Sequence, residues 1–172
     1  MDLELNGKKA IVTGGSEGIG KAITLALAKE GVDVAICARR KSLLEDTSTE
    51  INNATNCTVV PIVADLTKTE DANSFIEQAV EKLGGVDILV NNAGSAAGGV
   101  LEFLTDDDWE AALQLKFFGY VRCTRAVVPY MKNQGGGRIV NLIGNDGVKP
   151  SYWEIAPGAA NAAGQNLTIS LA

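Results

Sequence analysis

Between Thr13 and Gly20 the chain reads TGGSEGIG. Gly14, Gly18 and Gly20 recur at a spacing that lets backbone amides come close to a phosphate, because a Cβ at such turns would block the approach. Ser16, Glu17 and Ile19 complete the same turn. An apolar segment before it and a helix-patterned one after it point to a pyrophosphate held at a helix N-terminus, with a tight turn as the plainer alternative. Further along, CARRK sets Ala38 about where dinucleotide-binding folds carry a ribose-reading carboxylate, and follows it directly with Arg39, Arg40 and Lys41. A carboxylate there suits a free 2′-hydroxyl and a base suits a 2′-phosphate, so NADP(H) is expected over NAD(H). Two things weigh against this: basic residues also open solvated loops, and the charge of Glu17 would oppose a nearby phosphate.

These residues need elements to position them. KKAIVT reads as a first strand, and Ile19, Ala22, Ile23, Ala26 and Leu27 then repeat at helical spacing. VDVAIC is a second strand, and SLLEDTSTEINN a second helix with Ser42 as its expected cap. TVVPIVA is a third strand, moved toward a sheet edge by Pro61. Thr67 and Glu70 form a capping-box pattern before a helix running to Leu83, and Gly84 and Gly85 break the chain ahead of the strand VDILV. One long helix is expected from Asp106 to Asn133, capped by Thr105, with aspartates at its positive end and glycines 135–137 stopping it. RIVNLI is the fifth strand, and a last helix opens near Pro157, where a missing N–H costs nothing. The βα alternation, with right-handed crossovers, predicts a doubly wound parallel sheet of Rossmann type, layered α/β/α.

Length and composition agree. At 172 residues the chain suits one dinucleotide-binding domain over its whole length, and its 46% hydrophobic content with 19 glycines suits a parallel sheet with tight turns. A net charge of −6 without a Lys/Arg run argues against nucleic acid and anionic membrane as partners. The acidic start MDLELNGKK is no secretory signal and no apolar run reaches spanning length, so a cytoplasmic location is expected. Cys37, Cys57 and Cys123 make no metal spacing and read as free thiols; no metal is expected. Without a single histidine, Ser-His-Asp chemistry is excluded.

TGGSEGIG, then ADL at 64–66, then NNAG at 91–94, each at a strand end and in this order, resemble the short-chain dehydrogenase/reductase family over essentially the whole chain. The resemblance implies that Asp65 and Leu66 face the adenine and that Asn91 to Gly94, among them Asn92 and Ala93, steady the central strand beside the cofactor. It also implies a catalytic tetrad: an Asn in the long helix, a Ser after the fifth strand, and a Tyr-x-x-x-Lys pair in the next helix. Tyr exchanges the proton, Ser holds the substrate oxygen, and Lys binds the nicotinamide ribose and lowers the Tyr pKa. Placed by spacing from Trp109, from GRIVNLIG and from LTISLA, these positions fall on Lys116, Gly144, Pro157 and Asn161. All are replaced. Family members also continue into further strands and a helix, so the chain is expected to be incomplete at its C-terminus, leaving the fifth strand as an edge unless a partner covers it.

The proton chemistry must therefore move or cease. Tyr152, ahead of the last helix, Asn145, after the missing Ser, and Lys116, on the stripe Trp109, Ala112, Leu113, Lys116 and Tyr120, are the groups within reach. Each has a plainer role: Tyr152 packs beside Trp153, Asn145 and Asp146 make a turn, and the Lys116 stem lies along apolar surface with its charge at the rim. An NADP(H)-dependent oxidoreductase of a carbonyl/alcohol pair, with a replacement donor such as Tyr152, is the leading expectation. The alternatives are a noncatalytic dinucleotide-binding or oligomer-scaffolding member and a phosphate-ligand sensor. The small-residue final helix and the long helix are the expected surfaces of a homo-oligomer, and the partner is a small-molecule substrate that the small-residue loop Ser95 to Leu104 does not identify.

Overall fold

Ala10 to Val12 and Val34 to Cys37 are apolar at every position rather than alternately, as strands covered on both faces must be, and all of them are buried. In the computed structural model, residues 3–94 and 97–172 are described; Met1 and Asp2 of the acidic start and Ser95 and Ala96 of the small-residue loop lie outside them. The strands are β1 (Lys9–Thr13), β2 (Asp33–Ala38), β3 (Val59–Val63), β4 (Ile88–Asn91) and β5 (Arg138–Asn141), all paired in parallel in the order β3-β2-β1-β4-β5. Pro61 lies on β3, at one edge, where a missing ladder donor is tolerated. β5 is the other edge.

The helices are α1 (Gly18–Lys29), α2 (Lys41–Ala54), α3 (Thr69–Leu83), α4 (Asp106–Lys116), α5 (Phe118–Asn133) and α6 (Ile155–Leu171). On one sheet face Val12, Val34 and Ile36 pack with Ala28 of α1 and Leu44 and Ile51 of α2. On the other, Ile11, Ala35 and Leu89 pack with Phe75 and Ile76 of α3 and Cys123 and Val127 of α5. This doubly wound, three-layer arrangement is the one the sequence predicts.

Local differences are instructive. The expected long helix is broken at Phe117 (φ −100°, ψ −60°), so Lys116 ends α4 instead of standing mid-helix. Arg122 fastens the break: its guanidinium donates to the carbonyl of Gln114 (2.9 Å) and the Gln114 side chain (2.6 Å), and also to the carbonyl of Leu66 (3.2 Å). Thr105 does cap α4, in a capping box with Asp108. Ser42 does not cap α2, which begins at Lys41, one residue before it. Nor do Thr67 and Glu70 form a box; the Thr67 hydroxyl donates to Asp65 (2.8 Å) and α3 begins at Thr69.

Candidate functional site

From β1 the chain winds outward to β3 and then returns past β1 to β4, so the loops after β1 and β4 diverge at a topological switch point. A cleft of about 850 Å³ opens there. Gly14, Ser16, Glu17, Ile19 and Gly20 wall one side; Cys37 to Arg40 and Ala64 to Leu66 follow from β2 and β3. Asn92 to Gly94, Leu115 and Lys116, and Leu142 to Gly144 complete it from β4, α4 and β5. The expected cofactor residues are thus assembled along one groove; Gly18 alone of them does not line it and instead opens α1 at φ +55°.

The glycine turn has the shape a pyrophosphate requires. Gly14 takes φ +68°, and a Cβ on it would stand 3.0 Å from both Ala93 Cα and Asn92 Nδ2. A Cβ on Gly20 would stand 2.1 Å from the carbonyl oxygen of Gly14. No side-chain hydrogen bond caps the N-terminus of α1, and Glu17, Ile19 and Gly20 at that end line the groove. Asn92 holds the turn from below, donating to the carbonyls of Thr13 (2.9 Å) and Gly14 (3.2 Å), while the Thr13 hydroxyl accepts the amides of Asn92 and Ala93 (both 2.9 Å). These bonds tie the loop after β4 to the loop after β1.

At the β2 end, Arg40 donates to the Glu17 carboxylate. The acid that the sequence sets against a phosphate is therefore already paired with the base expected to bind one. Asp65 works in the same neighbourhood: burial alone would raise its pKa, but the Thr67 hydroxyl and amide and the charges of Arg39 and Lys68 hold it below the usual value.

The opposite end of the cleft holds Lys116. Its stem passes Gly94, where a Cβ would stand 2.7 Å from Lys116 Cδ and 3.2 Å from Nζ. Burial lowers its pKa, and the charge of Asp146 acts against that lowering. No described acid lies within ion-pair distance of Nζ. Gly144 lines the same cleft, and its N–H donates to Asn161 Oδ1 (2.8 Å). The Asn161 amide, 3% exposed, donates in turn to both oxygens of Asp146 (3.0 and 3.1 Å) and to the carbonyl of Pro157 (2.9 Å). Pro157 is buried in the first turn of α6. Tyr152 is 66% exposed, its ring tilted 51° against that of Trp153 with centroids 4.3 Å apart, and does not line the cleft. Asn145 is exposed, begins a 3-10 turn with Asp146 and Gly147, and does not line it either.

A family model described as short chain dehydrogenase matches residues 8–172. The chain belongs to the short-chain dehydrogenase family. An uncharacterised oxidoreductase of Staphylococcus saprophyticus is 32% identical over 98% of the chain and 72% of the relative. The 3-oxoacyl-[acyl-carrier-protein] reductase of Thermotoga maritima is 33% identical over 96% and 68%. Among solved structures, NAD+-bound xylitol dehydrogenase superposes with a TM-score of 0.94 at 30% identity, over 98% of this chain and 65% of that one. L-sorbose reductase from Gluconobacter frateurii, complexed with NADPH and L-sorbose, gives 0.91 at 32%, over 95% and 62%. The chain spans about two thirds of the length of these relatives.

In this short-chain dehydrogenase the glycine turn and the residues Lys116 and Gly144 line one cleft, and Asn161 and Pro157 lie buried behind it. The packing around Asn161 is what the sequence conceals. The motif GNDG reads as a turn, yet its Asp146 is bound from across the loop by a buried Asn161. Cys37, Ala64, Leu142 and Ile143 also line the cleft unannounced. They could have been found by one signal: each sits at or just past the C-terminal end of a strand.

Proposed function

We propose that the chain forms the cofactor half of an NADP(H)-dependent oxidoreductase acting on a carbonyl/alcohol pair, with Lys116 moving the proton. The observation that carries this is the continuous cleft from the phosphate cradle at Gly14 and Gly20 to Lys116 and Gly144. Gly14, Ser16 and the N-terminus of α1 would hold the pyrophosphate, Asp65 and Leu66 the adenine side, and Asn92 to Gly94 the inner face. When bound, the cofactor supplies or accepts the hydride. Lys116 has the proton chemistry: its ammonium gives a proton to the substrate oxygen as the carbonyl carbon is reduced, and the neutral amine regains one from solvent. Of the three groups the sequence offers for this step, Lys116 lines the cleft, whereas Tyr152 and Asn145 do not.

Preference for the 2′-phosphate rests on Arg39 and Arg40 beside Ala38. Glu17 tempers it by holding Arg40. Glu17→Gln should therefore release Arg40 and tighten NADPH by about two- to fivefold, the worth of an exposed ion pair, while leaving NADH nearly unchanged. Fluorescence titration with both cofactors measures this; an equal change for the two would remove Arg40 from the 2′-phosphate site.

A cytoplasmic, homo-oligomeric enzyme fits the free thiols and the exposed Phe118 on α5 and Ile169 and Leu171 on α6, and light scattering tests the assembly. The direct test of function is nicotinamide absorbance over a panel of ketones and secondary alcohols. Turnover that requires cofactor supports an enzyme. Tight NADPH binding without turnover on any of them favours the second reading, a noncatalytic dinucleotide-binding member, for which the replaced tetrad and the closed Asn161 network speak.

A further inference from the structure

We infer that Arg122 is a positioning residue: without lining the cleft itself, it fastens the C-terminal end of α4, and with it Lys116, to the cleft wall at Leu66. The inference rests on the reading of this cleft as a dinucleotide site with Lys116 at its reacting end. Leu66, Leu115 and Lys116 all line the cleft, but they reach it from different elements, the loop after β3 and the last turn of α4. The Arg122 guanidinium joins the two. Its Nη1 donates to the carbonyls of both Leu66 (3.2 Å) and Gln114 (2.9 Å), its Nη2 to Gln114 Oε1 (2.6 Å), and its Nε to the Thr69 hydroxyl (3.1 Å). Gly119 shows how closely these segments meet: a Cβ on it would stand 3.6 Å from the Leu66 carbonyl oxygen and 3.9 Å from that of Gln114.

A planar, multiply donating cation suits this junction. The last carbonyls of a helix have no partner within it, and Gln114 lies in the last turn of α4, two residues before Lys116. Arg122 supplies a charged donor there, at the negative end of the helix dipole. It makes no ion pair with a described acid, so its N–H groups are spent on oxygens of the two walls. The walls do not depend on this hold equally. Leu66 is buried in the core, and beside it the Asp65 amide donates to Asp71 (3.1 Å) while the Thr67 hydroxyl donates to Asp65 (2.8 Å). Of α4, only Ala112 is buried. Losing Arg122 therefore leaves the Leu66 wall in place and frees the helix end that carries Lys116. A misplacement of about 1 Å at a reacting group costs up to about a hundredfold in rate.

The test compares wild type with Arg122→Met by NMR on the full chain with 13C-labelled lysine, Lys116 being assigned by the signal lost in Lys116→Arg. Saturating NADPH should displace the Lys116 13Cε resonance in wild type and displace it less in Arg122→Met, while the NADPH dissociation constant stays close to wild type. In turnover, the variant's kcat should fall about ten- to a hundredfold with little change in KM for NADPH. Gln114→Met, which loses the Nη2 bond and keeps the carbonyl, should reduce the displacement to a lesser degree and add little on top of Arg122→Met, because both act on one junction. It decides the matter if Arg122→Met does not fold. Three results overturn the inference: full displacement in a folded Arg122→Met, a loss of displacement that only tracks lost NADPH binding, or, where Gln114→Met alone folds, an unchanged displacement in it. A wild-type Lys116 that NADPH leaves undisturbed overturns the underlying reading of the cleft, and the inference with it.

Discussion

Lys116→Met should lower kcat by about 10²- to 10⁴-fold, the range that a positioned proton donor contributes, with the NADPH dissociation constant close to wild type. Met keeps an unbranched stem of similar length, so the passage beside Gly94 stays filled, and only the charge and its proton are lost. Stability separates this loss from damage to the fold. The folded pKa of Lys116 lies below its ordinary 10.5, so the folded chain pays for the buried ammonium at neutral pH. Between the lowered pKa and 10.5 the unfolded chain binds more protons, so wild-type stability gains from this group as pH rises through that window. Lys116→Met should lack this gain and melt no lower than wild type at neutral pH. Urea denaturation at neutral and alkaline pH, alongside steady-state kinetics, checks both parts. An unaltered kcat would remove Lys116 from the chemistry.

Gly144→Ser, which installs the serine that the family resemblance implies at this position, should destabilise the chain by about 1–3 kcal/mol, as overpacking of a tight site does. The new Cβ would meet the Asp146 carboxylate and the Asn161 amide, neither of which is a freely swinging chain end, since each holds the other. Turnover should fall as well, because Asp146 must leave its place to admit the serine. Thermal melting and the same kinetics measure it. A Gly144→Ser protein as stable as wild type and more active would mean that the tetrad site is merely vacant, not rebuilt.

How much of this the sequence reveals depends on the kind of physics involved. The sheet and its cover are legible because they follow from periodicity: β3 is placed at an edge by Pro61, the runs through Ile11 and Val34 are buried as read, and the order of elements leaves little freedom in topology. The glycine turn is legible because glycine is favoured where the backbone turns at positive φ or packs too closely for a side chain: Gly14 takes φ +68° and Gly20 has no room for a Cβ. The break at Phe117 is not legible. The pattern from Asp106 to Asn133 is helical throughout, and its division is accompanied by the hold of Arg122 on Gln114, eight residues away, and on the distant Leu66 and Thr69. The Arg40 bond to Glu17 and the Asn161 bonds to Asp146 join residues far apart in sequence, or across a loop whose path local pattern does not specify. Asn161 could be located by spacing; that it is buried and fully bonded could not.

The most direct measurement follows the 13Cε resonance of Lys116 while the chain is titrated with NADPH, and again with adenosine 2′,5′-bisphosphate, which carries the adenine end without the nicotinamide. A cleft that runs from the glycine turn to Lys116 should bind both, with NADPH displacing the Lys116 resonance and the bisphosphate leaving it in place. Saturation with NADPH that leaves Lys116 undisturbed would contradict the placement of the reacting end at Lys116.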